Sequence, residues 1–390
     1  MGFERYSPTR IVFGAGTLNK LNEQLMPGEK ALLVISNGKS TKVNGYLDRC
    51  VKQLEKAGVE YVIFDRIEAN PLNTTVMQGA KKARETGCDF IVALGGGSVM
   101  DASKAIATMV TNEGTLWDYM TEGTGKKKPI SNTPAPIVAI TTTAGTGSEV
   151  DSVAVISNKE TDEKMAFGGI ESLNPVLAIV DPELMTSVPP KFTAYQGFDA
   201  LFHSTEGYIS RMNNLMGDMH AITAIKNIGK YLSRAVKDGK DMESREGVAF
   251  ANTLSGMVME LSSCTSEHSM EHAMSAYHHE LPHGAGLIML SEAYYQYFAD
   301  RHACDERMIE MARALGKEDA KEAQDFVDAL RDLQKACGVD GLKMSDFGIK
   351  EDELEKMAEN ARETLPILFD CDPVRMSHED CVEIFRKAYK

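Results

Sequence analysis

The chain has 390 residues, with 42 lysine and arginine against 57 aspartate and glutamate residues and a formal net charge of −15. This acidic balance argues against sequence-independent binding to nucleic acid or to an anionic membrane surface, because both need a basic face. Charged residues at 25% and apolar residues at 43% are ordinary for a globular protein, so long disordered regions are not expected. The length predicts two domains.

The cysteines and the N-terminus predict a cytoplasmic protein. The seven cysteines are scattered and form no Cys-x-x-Cys pair, which favours reduced thiols over a disulfide framework or a thiolate metal site. No stretch reaches the roughly 18 apolar residues of a membrane span. Glu4 stands early in an N-terminus that has no apolar secretion core.

Short apolar runs alternate with helix-like segments in the first half of the chain. Strands are predicted at residues 10–13, 31–36, 61–64, 90–94, 137–141 and 176–180, with helices such as 44–57 and 72–86 between them. Uninterrupted apolar strands separated by amphipathic helices indicate a parallel sheet that is covered on both faces. Residues 154–157 and 164–167 flank a polar stretch and predict a hairpin.

The pattern changes near residue 187. After Pro189-Pro190, helical spacing and helix-forming residues dominate, for example at 221–236, 247–259, 306–315 and 320–337. The sequence therefore predicts an α/β domain over residues 1–186 and an all-helical domain over residues 187–390.

A glycine-rich turn follows the strand at residues 90–94. Gly95-Gly96-Gly97-Ser98 leads at once into a helix, for which Ser98 is the expected N-cap and Asp101 lies in the first turn. Glycines let backbone N–H groups approach an anion, and a helix N-terminus attracts negative charge. A plain tight turn is the alternative, but three consecutive glycines favour phosphate binding.

A second loop of small and hydroxyl residues, 142–149, follows the strand at 137–141. Neither Gly14-Ala-Gly16 nor Gly145-Thr-Gly147 is followed by the third glycine of a Rossmann fingerprint, since Asn19 and Val150 stand there. Any dinucleotide must therefore bind in a different way.

Five of the nine histidines lie within residues 268–283. His268 and His272 share a helical face at i, i+4, His283 follows Pro282 and opens the next helix, and Asp199 and His203 share a second face. One carboxylate with three imidazoles suits Fe²⁺ or Zn²⁺, whereas Ca²⁺ prefers oxygen ligands. The predicted ligands are Asp199, His203, His268 and His283.

The remaining histidines are expected to be ordinary surface or core residues: His220, His278, His279, His302 and His378. Glu267 and Glu271 are expected to be solvated or to lie behind the metal ligands rather than to bind the ion.

Six ordered motifs, spread over nearly the whole chain, resemble those of the iron-containing (group III) alcohol dehydrogenases. They are Pro8–Gly14, Gly95–Ser98 with Asp101 and Lys104, Thr142–Glu149, Asp181–Leu184, Gly197–His203, and His268 with His272 and Pro282-His283-Gly284. The resemblance implies a dehydroquinate synthase-like fold, with an N-terminal dinucleotide-binding α/β domain, a helical C-terminal domain and a metal in the cleft between them. It also implies a homodimer or a larger homo-oligomer.

The resemblance assigns roles to individual residues. It places the metal on the same four ligands and His272 beside the metal in the substrate pocket. The cofactor-binding candidates are Gly96, Gly97, Ser98, Asp101, Thr142, Thr143, Thr146 and Lys164. Asp151 departs from the family pattern, in which threonine or serine often stands at this position and contacts the cofactor.

The turn after the second strand bears on cofactor choice. Many NAD-using members carry an aspartate where Gly38 stands here, and this acid binds the ribose 2′-hydroxyl. Gly38 removes a charge that would repel a 2′-phosphate, and Lys39 and Ser40 are placed to bind one. An ordinary turn with a solvated lysine is the alternative. NADP is favoured over NAD.

These inferences predict reversible hydride transfer between NAD(P)(H) and a small primary alcohol or aldehyde, assisted by Fe²⁺ or Zn²⁺. His272 is the candidate catalytic residue, as a proton relay, with pocket wall as the alternative. The rivals are a cofactor-assisted lyase of the dehydroquinate synthase type and a non-catalytic nucleotide sensor. A lyase site needs additional lysines and arginines, whereas the ligand helices carry apolar residues that suit a weakly polar substrate: Phe198, Leu201, Phe202, Met270 and Met274.

Overall fold

The computed structural model describes residues 3–390, which divide into two compact units. The α/β unit comprises Arg5–Thr143 and Gly147–Ser187, and the helical unit comprises Val188–Lys390 together with Ala144–Thr146. The predicted fold class, an α/β domain followed by a helical domain, is confirmed. The assignment of residues 1–186 to cofactor binding and of 187–390 to metal binding stays a prediction.

The strands of the α/β unit are β1 (Arg10–Phe13), β2 (Lys30–Ser36), β3 (Glu60–Ile67), β4 (Phe90–Gly95), β5 (Ile137–Thr141), β6 (Val153–Asn158), β7 (Glu163–Gly168) and β8 (Leu177–Val180). Six of them form a parallel central sheet in the order β1-β8-β5-β4-β2-β3, and a separate antiparallel hairpin joins β6 to β7. The predicted strands and the hairpin are therefore confirmed.

Helices cover both faces of this sheet, as the apolar runs predicted. The helices are α1 (Ser40–Val43), α2 (Tyr46–Lys56), α3 (Asn73–Thr86) and α4 (Gly97–Thr111), with 3₁₀ turns at Thr17–Glu23, Leu116–Asp118, Glu171–Leu173 and Pro182–Met185. Because side chains alternate along a strand, Leu32 and Val34 join the cluster under α3 and α4, whereas Leu33 and Ile35 join the cluster under α2.

The chain order creates a switch point at the carboxyl ends of β2 and β4. These strands are neighbours, but β2 continues to β3 on one side while β4 leads towards β5 on the other. Ligands of open α/β sheets bind outside the strand ends at such a point. Gly38 follows β2 and Gly96 follows β4, so the sheet brings both predicted cofactor turns to this edge.

Helix α4 begins two residues earlier than predicted. Its N-cap is Gly96, in an extended conformation without a side-chain cap, and Gly97 is its first residue, so Ser98 is not the N-cap. A Cβ at Gly96 would lie 2.8 Å from Thr143 Oγ1. The absence of side chains on these glycines lets the backbone enter the helix directly beside the loop that follows β5.

The helical unit contains ten helices within the described residues. They are α5 (Pro190–Ile209), α6 (Leu215–Lys237), α7 (Met242–Ser262), α8 (Ser266–Tyr277), α9 (His283–Asp300), α10 (Asp305–Ala314), α11 (Gln324–Cys337), α12 (Leu354–Thr364), α13 (Pro366–Asp370) and α14 (His378–Ala388), with 3₁₀ turns at Met344–Phe347 and Glu351–Glu353. The helices predicted after residue 187 are all present.

Among residues 3–390, no helix combines the length and the apolar character that crossing a membrane would require. All seven cysteines fall in this range and are free thiols. The prediction of a cytoplasmic protein stays a prediction.

Candidate functional site

Helix α5 supplies two of the predicted metal ligands. Pro190 occupies its first position, where the missing N–H costs nothing, and Asp199 and His203 lie one turn apart. The segment Ala144–Thr146 lies against this face, because a Cβ at Gly145 would stand 3.0 Å from Asp199 Oδ2. Glycine at this position lets the loop approach the carboxylate.

Helices α8 and α9 supply the other two ligands. His268 and His272 lie one turn apart on α8, and His283 is the first residue of α9, as the sequence predicted. A Cβ at Gly284 would stand 2.2 Å from the carbonyl oxygen of Tyr195 on α5. Glycine therefore permits the close approach of α9 to α5 that carries His283 to Asp199.

The four predicted ligands converge on one oxygen atom. Asp199 Oδ1 lies 3.6 Å from His203 Nδ1, 3.5 Å from His268 Nε2 and 3.5 Å from His283 Nε2. Ligand atoms bound tetrahedrally at about 2.0–2.2 Å from a metal stand about 3.4 Å apart. The three distances from Asp199 Oδ1 are therefore those expected between two ligands of one divalent ion.

Two atoms of this cluster need a cation. Asp199 Oδ1 and His268 Nε2 are buried and make no hydrogen bond within the part of the chain that the structure describes. Buried polar atoms without a partner are rare, and a carboxylate with imidazoles is a donor set for Fe²⁺ or Zn²⁺. The residues present fit such an ion.

His203 stands at the edge of the cluster. Donor atoms of Asp199, His268 and His283 lie within 4.8 Å of one another, while His203 joins His268 in a second such group with Cys264. The rings of His203 and His268 stack with centroids 4.4 Å apart. Sequence analysis missed Cys264, because its contact depends on the turn between α7 and α8.

Two buried glutamates hydrogen-bond to the imidazoles. The Glu206 carboxylate contacts His268 Nδ1, and the Glu271 carboxylate contacts His283 Nδ1. Glu271 therefore lies behind a ligand, in agreement with one of the two alternatives predicted for it. Sequence analysis missed Glu206, although its position three residues after His203 places it on the ligand-bearing face of α5.

The electrostatics of the cluster reflect burial opposed by neighbouring charges. Burial alone would raise the pKa of Asp199, but the imidazoles, with His203 the strongest, lower it to about 2. Burial lowers the pKa of His203 to about 3, against the attraction of Asp199. Burial also opposes the charged form of His268, yet Glu206 holds the His268 pKa well above its ordinary value. A metal binds the neutral imidazole, so it competes with a proton for His268.

His272 lies beside the cluster and is buried. Its ring centroid is 5.4 Å from that of His283 and 6.4 Å from that of His268. A donor atom of His272 also groups with donors of Glu271 and His283. The candidate catalytic histidine is thus close to two of the candidate ligands, His268 and His283.

Three of the remaining histidines pair with carboxylates, whereas the apolar residues of the ligand helices are buried in the core. His278, His302 and His378 pair with Glu353, Asp305 and Glu355, as expected for ordinary histidines. The apolar residues of the ligand helices are fully buried, so they pack in the core of the helical unit and do not support a substrate preference: Phe198, Leu201, Phe202, Met270 and Met274.

The candidate cofactor turns lie at the carboxyl ends of β4 and β5. Thr142 N donates to the carbonyl of Gly95 at 2.9 Å, so the loop after β5 adjoins the glycine turn after β4. Gly96, Ser98, Thr142 and Thr143 are partly exposed there. This leaves backbone N–H groups at the start of the 15-residue α4 facing the strand ends.

The turn after β2 is exposed at Gly38, Lys39 and Ser40. A Cβ at Gly38 would meet only Ser36 Oγ, at 3.4 Å, and the φ angle of Gly38 is not positive. Backbone geometry therefore does not require glycine at this position.

Asp101 and Lys104 of α4 anchor the segment that leads into β6. Asp101 accepts hydrogen bonds from Ser148 Oγ at 2.7 Å and Val155 N at 2.9 Å. Lys104 Nζ donates to Asp151 Oδ1 at 2.7 Å in a buried ion pair. Asp151, the departure from the family pattern, is thus a structural partner of Lys104.

Two further cofactor candidates lie in different units. Lys164 is buried on β7, where it pairs with Ser157. Thr146 is partly exposed and belongs to the helical unit. Their roles toward a cofactor stay predictions.

Comparisons with known families identify the chain. The model of the iron-containing alcohol dehydrogenases matches residues 8–182, and the model of the C-terminal part of the same family matches residues 193–389. The chain belongs to the iron-containing alcohol dehydrogenase family. It is accordingly an NAD(P)-dependent oxidoreductase that acts on small alcohols, in a family where a His/Asp metal site is typical.

Individual relatives agree with this family over the full length. The 1,3-propanediol dehydrogenase of Citrobacter freundii is 33% identical over 99% of both chains. The NADH-dependent butanol dehydrogenase A of Clostridium acetobutylicum is 30% identical over 100% of both chains. The crystal structure of an archaeal halo-thermophilic alcohol dehydrogenase from a Red Sea brine pool is similar with a TM-score of 0.93, at 36% identity over 100% of this chain and 99% of that one.

Proposed function

We propose that the chain catalyses reversible hydride transfer between NADP(H) and a small primary alcohol or aldehyde, at a divalent metal held by Asp199, His203, His268 and His283. The observation that carries the proposal is the convergence of three imidazole nitrogens within 3.6 Å of one buried carboxylate oxygen. Relatives named for 1,3-propanediol and butanol support short alcohols as substrates. Fe²⁺ is the proposed ion, with Zn²⁺ as the alternative that the same donors suit.

In this proposal the chain's own residues bind the metal and the cofactor, orient the substrate and transfer its proton. When bound, the metal polarises the substrate oxygen and the nicotinamide carries the hydride. Asp199 supplies the one anionic donor, and its low pKa keeps it ionised at any working pH. The glycine turn at Gly96–Ser98 offers backbone N–H groups to the pyrophosphate, and Thr142 and Thr143 border the same strand ends.

His272 is the proposed proton relay. Its ring lies 5.4 Å from that of His283, close enough for a substrate oxygen held beside the ligands to reach it directly or through one water. A ring nitrogen of His272 takes the hydroxyl proton in oxidation and returns it in reduction.

The ligand assignment is tested by measuring the metal content of purified variants. We expect His268→Ala to lose the metal and His272→Ala to retain it, while turnover with NADPH and butanal falls in both. Elemental analysis of anaerobically purified protein gives the content. Equal metal content in the two variants would contradict the assignment of ligand and relay.

The preference for NADP rests on the acid-free turn after β2. Lys39 and Ser40 are exposed beside Gly38, so a 2′-phosphate would meet a cation and a hydroxyl rather than a carboxylate. We expect Gly38→Asp to reduce kcat/KM for NADPH about 10- to 100-fold, because the new carboxylate repels the 2′-phosphate, and to improve kcat/KM for NADH, because the carboxylate can accept a hydrogen bond from the ribose 2′-hydroxyl. Lys39→Ala should weaken the binding of NADPH and leave the binding of NADH unchanged. Kinetics in which the wild type prefers NADH would refute the proposal.

A homodimer or larger assembly is also proposed. The edge strand β1 pairs only with β8 among the described strands, and Phe13 at its end is partly exposed. An edge of this kind is a template for pairing with a second copy. Light scattering of the purified protein tests this, and a monomer at micromolar concentration would refute it.

A further inference from the structure

Two buried glutamates contact the candidate ligands through the ring nitrogen opposite the one that faces Asp199. His268 presents Nε2 to Asp199 and Nδ1 to Glu206, and His283 presents Nε2 to Asp199 and Nδ1 to Glu271. Both glutamate side chains have an exposed fraction of 0%. His203 differs, because its Nδ1 lies both 3.6 Å from Asp199 Oδ1 and 3.3 Å from the carbonyl oxygen of Gly145.

Each glutamate is held in place by its second oxygen. Glu206 Oε2 accepts hydrogen bonds from the backbone N of Thr265 at 2.7 Å and from Thr265 Oγ1 at 3.0 Å, just before α8 begins. Glu271 Oε1 accepts a hydrogen bond from Ser275 Oγ. A Cβ at Gly286 would stand 2.7 Å from Glu271 Cγ, so α9 packs closely on this side chain. The carboxylates are therefore fixed by the fold before any ion binds.

We propose that Glu206 and Glu271 are positioning residues that set the tautomer and the ring orientation of His268 and His283. A carboxylate that accepts the Nδ1–H proton leaves the lone pair on Nε2, the atom that faces Asp199. The carboxylate also makes Nε2 a stronger electron-pair donor to a metal ion. The inference rests on the proposed metal ligands and adds two residues that contact neither the ion nor the substrate.

The test is Co²⁺ binding, measured by competition with a chromophoric chelator and by the visible absorption bands of the bound ion. We expect Glu271→Ala to weaken Co²⁺ binding about 10- to 100-fold and to shift the absorption bands. Glu271→Gln should lose less Co²⁺ affinity than Glu271→Ala, because its amide oxygen still accepts a hydrogen bond from His283 Nδ1–H. Glu206→Gln should likewise weaken binding and perturb the bands, while leaving an acceptor for Thr265.

Two controls separate positioning from general effects of a buried substitution. Ser275→Ala removes one partner of Glu271 but leaves its contact with His283, so its Co²⁺ affinity should stay within about 3-fold of the wild type, well under the loss expected from a broken contact. Glu267→Gln changes another fully buried carboxyl on the same helix, and it should behave in the same way. A loss in Glu267→Gln equal to that in Glu271→Ala would overturn the proposal.

His268→Ala separates this inference from the proposed function. If the wild type binds one Co²⁺ and His268→Ala does not, the ligand assignment holds. Unchanged affinity and spectrum in both Glu206→Gln and Glu271→Ala would then overturn the positioning role alone. Full Co²⁺ binding by His268→Ala would overturn the ligand assignment and the positioning role with it.

Discussion

At the scale of single residues, the centre depends on how closely the chain can approach Asp199. The loop carrying Gly145 lies against this carboxylate, and the carbonyl oxygen of the same glycine lies 3.3 Å from His203 Nδ1, as a hydrogen-bond acceptor. Small residues at such positions are a condition for the convergence of four donors that come from three helices. The site therefore depends on glycines that do not themselves bind the ion.

Gly145→Ala tests this dependence. The new Cβ would stand 3.0 Å from Asp199 Oδ2 and 3.0 Å from the backbone Cα of Gln196, so the carboxylate or the loop must shift. We expect destabilisation of about 1–3 kcal/mol, typical of overpacking, and a clear loss of bound metal. Urea unfolding and elemental analysis measure the two effects.

Gly341→Ala is the matched control. Its added Cβ meets nothing within 4 Å in the described range, and its φ angle is not positive. Both stability and metal content should match the wild type. A Gly145→Ala protein with full metal content would show that the close contact is not needed.

How far the sequence predicts the site is also clearest at this scale. Asp199, His203 and His268 follow from helical spacing, and Pro282 with Gly284 marks His283 as the start of α9. Glu206 was not predicted, because its contact with His268 depends on the packing of α5 against the start of α8. The burial of Phe198 and Met270 was not predicted either, since helical periodicity does not tell a core face from a pocket wall.

At the scale of elements, α4 begins at the glycine turn and also binds the segment that leads into β6, through hydrogen bonds of Lys104. Lys104 Nζ donates at 2.7 Å to each of three acceptors, Asp151 Oδ1, Ser148 Oγ and the carbonyl of Val153. The sequence predicts α4 and β6 but not these bonds, because Lys104 and Asp151 are 47 residues apart and meet only through tertiary packing.

Lys104→Met should be strongly destabilising. It leaves the Asp151 carboxylate buried without its cation, and loss of one partner of a buried pair costs about 3–5 kcal/mol. The double variant with Asp151→Asn should recover part of this, since the stranded charge is gone. Free energies of unfolding in urea measure both, and an equal loss in the single and double variants would contradict the account.

The N-terminus of α8 predicts a pH dependence. Asp372 accepts hydrogen bonds from Ser266 N and Oγ and from Tyr294, yet burial dominates and raises its pKa to about 7. The folded state therefore keeps this proton between pH 4 and 7, where the unfolded state has lost it. The stability it contributes is complete below pH 4 and is lost as the pH rises through 7.

Asp372→Asn carries no such proton. The difference in free energy of unfolding, wild type minus variant, should fall by at most about 1.4 kcal/mol per pH unit between pH 5 and 7 and level off above that. Urea unfolding across this range measures the slope. A difference that rises with pH, or stays flat, would contradict the raised pKa of Asp372.

At the scale of the whole molecule, the two proposed binding functions are divided between the units. All four proposed metal ligands belong to the helical unit, whereas the proposed cofactor residues other than Thr146 belong to the α/β unit. Each unit has its own core and its own hydrogen bonds to its site residues. Binding of the metal and binding of the nucleotide should therefore be separable.

Gly96→Ala and metal removal test this separation. The added Cβ would stand 2.8 Å from Thr143 Oγ1 and fill the glycine turn, so NADPH binding should fall at least about 10-fold while the metal content stays at that of the wild type. Chelator-treated wild type should show the opposite pattern. NADPH fluorescence and elemental analysis give the two readouts, and a joint loss in either sample would refute the separation.

The exposed turn at Gly38 has an evolutionary consequence. A single base change converts a glycine codon into one for aspartate or glutamate, and the fold offers no steric obstacle to either side chain there. Under the proposed role of this turn, a descendant of the chain would change its preference between NADPH and NADH in one mutational step, without rebuilding the sheet or the metal centre.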